Sequence, residues 1–66
     1  MNIFVNEQVL TIPVDCNIEQ LLLLLESPLK GSAVAVNQHI ISRSKWAEYT
    51  LNEGDQISLF QAIAGG

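Results

Sequence analysis

Few groups in this 66-residue chain could do chemistry. There is one cysteine, Cys16, and one histidine, His39. The seven carboxylates are Glu7, Asp15, Glu19, Glu26, Glu48, Glu53 and Asp55. A general base or nucleophile needs a neighbour within hydrogen-bond reach to tune it. His39 closes a turn-like stretch, Asn37-Gln38-His39, with no serine, cysteine or acid constellation beside it, and reads as a solvent-facing turn residue. Cys16 comes just before a helix, where the helix N-terminus can lower a thiol pKa. It fits better as a small, partly buried hydrophobe. The carboxylates are scattered; Glu53 and Asp55 flank Gly54 as turn residues do, and two acids alone make a poor metal site. Gly31 and Gly54 are isolated, so there is no glycine loop to cradle phosphate. The expectation is a chain with no catalytic residue and no metal site of its own.

One reactive group remains, the C-terminal carboxylate of Gly66 in the closing stretch QAIAGG. A carboxylate is inert to nucleophiles until activated, typically by ATP as an acyl-adenylate. Gly65 and Gly66 lack a Cβ, so the end can thread a narrow channel and take conformations barred to other residues. Ala64 precedes them and stiffens the tail slightly. Nothing at residues 65–66 can pack, which predicts a flexible tail. These properties suit a carrier whose terminus is offered to another protein's active site.

Length and composition bound what lies behind that tail. The chain reads as one domain, residues 1–66, near the lower size limit for folding on a single core. Cys16 cannot form an internal disulfide, so stability must come from apolar burial, which a 48% hydrophobic content permits. The lone cysteine and the lack of a charged-then-apolar leader predict a cytoplasmic setting. The longest purely apolar run, Leu21 to Leu25, is too short to cross a membrane. The net charge is −4, with only Lys30, Arg43 and Lys45 positive. That excludes nucleic acid and anionic membranes as expected partners, and suits a basic groove on another protein.

The elements that would hold the tail follow from periodicity. Residues 1–6 alternate, residues 9–14 form a second β-type run, and the short polar connection between them predicts a hairpin. Pro13 suits a strand end or sheet edge, because it cannot donate to a ladder. Asn17 as N-cap and Gln20 three residues on predict a helix start, and Pro28 its end. Ile18, Leu21, Leu22 and Leu25 share one helical face; Leu23 and Leu24 fall off it, as wide-stripe flanks or a contact patch. Lys30 to Ser32 read as a loop, Ala33–Val36 as a short strand, and Ile40-Ile41 as pairing back on it. Residues 42–50 have no clean period; Trp46 in this stretch is expected to plug the end of the core. A turn at 51–55 leads to a last strand over 56–62. The class is therefore α+β: a sheet of four or five strands with one helix on one face, and the two chain ends in the middle.

Alternation then sorts the two end strands. If Ile3 and Val5 face the helix, Phe4 faces away; if Ile57 and Leu59 face inward, Phe60 faces away with Ser58 and Ala62 beside it. Phe4, Phe60 and Ala62 are the expected docking residues on the uncovered face. A slip of one residue would instead turn both phenylalanines inward.

Taken together, the opening IFVN, the proline-containing second strand, the Leu-rich helix, AVAVNQHIISRSKW, LNEGDQISLF and the closing AGG resemble the ThiS family of sulfur carriers in thiamine thiazole synthesis. The resemblance spans essentially the whole chain. It implies a ubiquitin-like β-grasp fold, with a mixed sheet and one main helix. It implies that Gly66 is adenylated by an E1-like adenylyltransferase and converted to a thiocarboxylate with sulfur from a cysteine desulfurase or related donor. Sulfur then passes to thiazole synthase, with Gly65 letting the tail enter the partner's site. The chain would bind no cofactor; ATP and Mg would serve the activating partner. It would be a protein cosubstrate, a monomer when free. Two rival readings are the small subunit of molybdopterin synthase, which usually runs longer, and a ubiquitin-like modifier or interaction module.

Overall fold

In a computed structural model, which describes residues 1–27 and 31–61, the chain forms a five-stranded sheet with one α-helix. The strands are β1 (Asn2–Val5), β2 (Gln8–Thr11), β3 (Ser32–Val36), β4 (His39–Ile41) and β5 (Gln56–Gln61); the helix is α1 (Ile18–Leu24). Their order across the sheet is β2-β1-β5-β3-β4. All neighbours are antiparallel except β1 and β5, which run parallel. The two end strands are thus interior, with β5 at the centre, as their regular alternation predicts.

Both hairpins close through two-residue loops with positive φ at both positions, Asn6-Glu7 and Asn37-Gln38. That geometry matches the right-handed twist of the flanking strands, and asparagine accepts it readily. The first hairpin is shorter than its apolar pattern. β2 stops at Thr11, after which Ile12 and Met1 exchange main-chain bonds: Ile12 N donates to Met1 O, and the Met1 ammonium donates to Ile12 O. Pro13 lies beyond the ladder, where its missing N–H costs nothing.

Helix α1 begins with a full capping box. Gln20 N donates to Asn17 Oδ1 at 2.8 Å, and Asn17 N donates to Gln20 Oε1 at 3.1 Å. Ile18, Leu21 and Leu22 are buried and Leu25 is half-buried, whereas Leu23 and Leu24 are exposed. These buried leucines pack with Ile3, Val34, Val36 and Ile57 from the sheet, so the helix covers one sheet face. Residues 42–50 are irregular apart from a short 3-10 turn, Arg43–Lys45, and an isolated bridge from Thr50 to Asn17. Trp46 is buried there and its indole N–H donates to Ile41 O at 2.9 Å. It fills the core and meets its polar requirement in one placement.

Candidate functional site

The candidate functional region is the uncovered sheet face, which carries the expected docking residues Phe4 and Phe60. Strand register defines the face. Phe4 pairs with Val9 on one side and Gln56 on the other; along β5, Ser58 pairs with Ala35 and Phe60 with Ala33; Ala35 pairs in turn with Ile40. Directly paired residues share a face, and residues two apart along a strand do too. Phe4, Val9, Ile40 and Phe60 are all exposed, and all lie on this face opposite α1. Their strand neighbours Ile3 and Ile57 are buried on the helix side, and Val5 and Leu59 are half-buried there.

Phe4 is 38% exposed and Phe60 60% exposed, so both point away from the core, as alternation predicts. They are not adjacent. Phe4 stands level with Gln56, and Phe60 lies four positions further along β5, roughly 13 Å at the rise of a strand. Ser58 lies between them. The face is therefore a strip from Phe4 to Phe60, with Phe60 at its tail end. Ala62, Ala64, Gly65 and Gly66 lie outside the described residues.

Three features hold β5 in position. Phe4 N donates to Asp55 O and Asn6 N donates to Ile57 O, each at 2.9 Å. Beyond that, the Asn6 side chain replaces a strand: Leu59 N donates to Asn6 Oδ1 at 3.0 Å, and Asn6 Nδ2 donates to Leu59 O at 3.3 Å. At the strand's start, Asp55 is buried and accepts from Asn52 N at 2.8 Å and from Asn37 Nδ2 at 3.1 Å. Asp55 thus does more than serve a turn. It joins two loops that sequence reading kept apart, and no local pattern announces an acid that is satisfied 18 residues away. Glu53 stays on the surface and accepts from Asn2 N at 3.0 Å.

The other reactive groups stay away from this face. Cys16 is buried beside Pro13 and Asn17, its Sγ donates to Asn17 O, and burial pushes its thiol pKa up. That leaves it a protonated packing residue rather than a nucleophile. His39 is exposed at the start of β4. Among the described residues, no group of three or more His, Cys, Asp or Glu side chains is placed to hold a metal ion. No helix among them is long and apolar enough to cross a membrane.

A sheet of this order, with parallel end strands and a helix across one face, can be compared with known proteins. A model of the ThiS family matches residues 1–66. The chain belongs to the ThiS family. It is 41% identical to the sulfur carrier protein ThiS of Escherichia coli strain K12 over 66 residues, covering all of both chains. Its fold is similar to a crystal structure of the thiamine biosynthesis protein ThiS from Geobacter metallireducens. That match has a TM-score of 0.84 at 25% identity and covers both chains fully. A solution structure of a thiamine biosynthesis protein from the same organism gives a TM-score of 0.81 at 25% identity, covering all of this chain and 88% of the other. The β-grasp fold expected for the family is the one seen.

Proposed function

We propose that this ThiS-family chain is a sulfur carrier for thiamine biosynthesis, and that its working group is the carboxylate of Gly66. The observation that carries this reading is the full-length match to a sulfur carrier that covers both chains end to end. The two sequences therefore align through the terminal Gly65-Gly66.

The chemistry begins on an activating enzyme, an E1-like adenylyltransferase using ATP and Mg. A carboxylate oxygen of Gly66 attacks the α-phosphorus of ATP and pyrophosphate leaves. A persulfide charged by a cysteine desulfurase then attacks the acyl carbon and displaces AMP, and a thiol cleaves the resulting acyl disulfide, which leaves Gly66 as a thiocarboxylate and the two thiol sulfurs joined as a disulfide. Thiazole synthase consumes that sulfur. The chain acts as a cosubstrate: it contributes a reactive end and a surface by which partners hold it. Gly65 and Gly66 suit that end because a residue with no Cβ passes a narrow channel and leaves the carbonyl carbon uncrowded. Ala64 adds only one methyl group to the threading segment.

The strip from Phe4 to Phe60 supports the docking half of this reading. Four large apolar side chains on one face of so small a sheet are suited to burial against a partner. Phe60 and Ala62 stand closest to the tail in sequence, so contact there would position the carboxylate most directly. The charge of −4 favours a basic rim around the partner's site.

Intact mass spectrometry tests the function. Protein incubated with the adenylating enzyme, ATP and a sulfur donor should gain the mass of one sulfur in place of one oxygen, mapped to Gly66 and blocked by thiol alkylation. A terminus that stays a plain carboxylate under those conditions rejects the reading. Adducts on lysine side chains would favour a protein modifier instead.

A further inference from the structure

Where the tail begins, no described residue pairs with the β1-facing side of the β5 backbone. Residues facing β1 alternate along β5. The carbonyls of Asp55 and Ile57 accept from β1, and the N–H and C=O of Leu59 are both taken by the Asn6 carboxamide. In a strand, the N–H and C=O of one residue point the same way, and the next residue's point the other. The next pair on this side therefore belongs to Gln61. No strand among the described residues pairs with it there, because β1 ends at Val5 and the chain turns away through Asn6-Glu7 into β2.

Leu59, two residues before Gln61, and Ser27, which touches Gln61, line a groove of about 300 Å³. Val5, Leu10, Leu25 and Leu59 supply apolar lining, and Asn6 and Ser27 supply polar walls. Ser27 is close enough to Gln61 for its hydroxyl to accept from the Gln61 amide at 3.5 Å, which ties the end of α1 to the same spot. The edge is thus recessed between a hairpin turn and a helix end. Such a recess admits a single extended segment and shields the edge from a flat neighbouring sheet, the usual hazard of an open edge.

We propose that Gln61 is a strand-addition site for the enzyme that activates the C-terminus. An extended segment of that enzyme pairs with the N–H and C=O of Gln61 and lays an apolar side chain into the groove. The proposal rests on the carrier reading above and goes beyond it, since it concerns backbone pairing and not the exposed sheet face. An extended segment is the occupant that fits, because a main-chain donor and acceptor on one side, unpaired among the described residues, match a strand's own spacing. A second copy of this chain fits less well: each copy carries a charge of −4. Pairing at Gln61 would also set the direction of the residues that follow, and so aim Gly66 at the activating site.

Amide hydrogen exchange on the full chain, free and saturated with the adenylating enzyme, tests this. In the free protein the Gln61 amide should exchange at least about a hundredfold faster than that of Leu59, and it should slow by a similar factor in the complex. A Gln61 amide still fast in the saturated complex overturns the proposal. So does one already slow in the free protein, whether from a second copy (slowing that depends on concentration) or from the chain's own residues (slowing that does not). A chain synthesised with N-methyl-Gln61 should bind the enzyme at least about tenfold more weakly, while Gln61→Ala, which keeps the backbone, should stay within about twofold. Equal losses from both would assign the contact to the side chain and reject strand addition. Sulfur transfer to Gly66 is scored in the same samples. Sulfuration with an unprotected Gln61 removes this proposal and leaves the carrier function standing; no sulfuration removes both.

Discussion

Asp55 and Asn37 are joined by a hydrogen bond of 3.1 Å that ties the loop before the central strand to the turn between β3 and β4. The carboxylate is only 8% exposed, and its other oxygen accepts from Asn52 N. Asn37 completes the arrangement by accepting from Gln56 N at 3.0 Å. Removing the carboxylate leaves two donors without partners in a partly buried place. Asp55→Ala should therefore cost about 1–3 kcal/mol, and Asp55→Asn, which keeps one acceptor, less. The check is urea unfolding with an unchanged slope. Glu53→Ala, which removes an exposed bond, is the internal comparison; if it costs as much as Asp55→Ala, the burial argument fails.

Phe60 and Ile57 lie on opposite faces of the same strand, so they separate docking from stability. Ile57→Ala should destabilise by about 2–5 kcal/mol, because it opens a cavity between sheet and helix. Phe60→Ala should change stability by less than about 1 kcal/mol, as an exposed site does. It should weaken the activating enzyme's binding by more than about fivefold, the loss expected at an aromatic anchor. Thermal melts and a titration of each variant measure both quantities. Normal binding by a destabilised Phe60→Ala protein would show that this phenylalanine holds the fold and not the partner.

The Cys16 thiol gives a pH dependence of known sign. Burial raises its pKa in the folded state, so the folded protein keeps this proton at pH values where the unfolded chain has begun to lose it. Stability linked to this group is full below the unfolded value, near pH 9.0, and declines as pH rises through and above it. Alkylation at pH 8 should accordingly be at least about tenfold slower in the native protein than in denaturant. The decline in stability above that pH should be smaller in Cys16→Ala. A variant that declines just as steeply would assign the effect to another group.

What could be read from the sequence was what repeats locally. The alternation of Ile3, Phe4 and Val5 and of Ile57, Ser58, Leu59 and Phe60 sorted inside from outside, because a strand's side chains switch face at every residue. Asn17 and Gln20 announced the helix start, because a capping box closes within one turn. The closing Gly65-Gly66 prompted the proposal that Gly66 is the working end, which the sulfur-transfer experiment tests. Tertiary structure alone decided what joins distant residues: the parallel pairing of β1 with β5, the separation of Phe4 from Phe60 by Ser58, and the burial of Asp55 against Asn37. It also decided that the side chain of Asn6 takes over where β1 ends, 53 residues from its partner Leu59. Local periods are set by backbone geometry and can be counted along a chain. Pairing partners depend on which distant segments the shared core brings side by side, and no spacing in the sequence carries that.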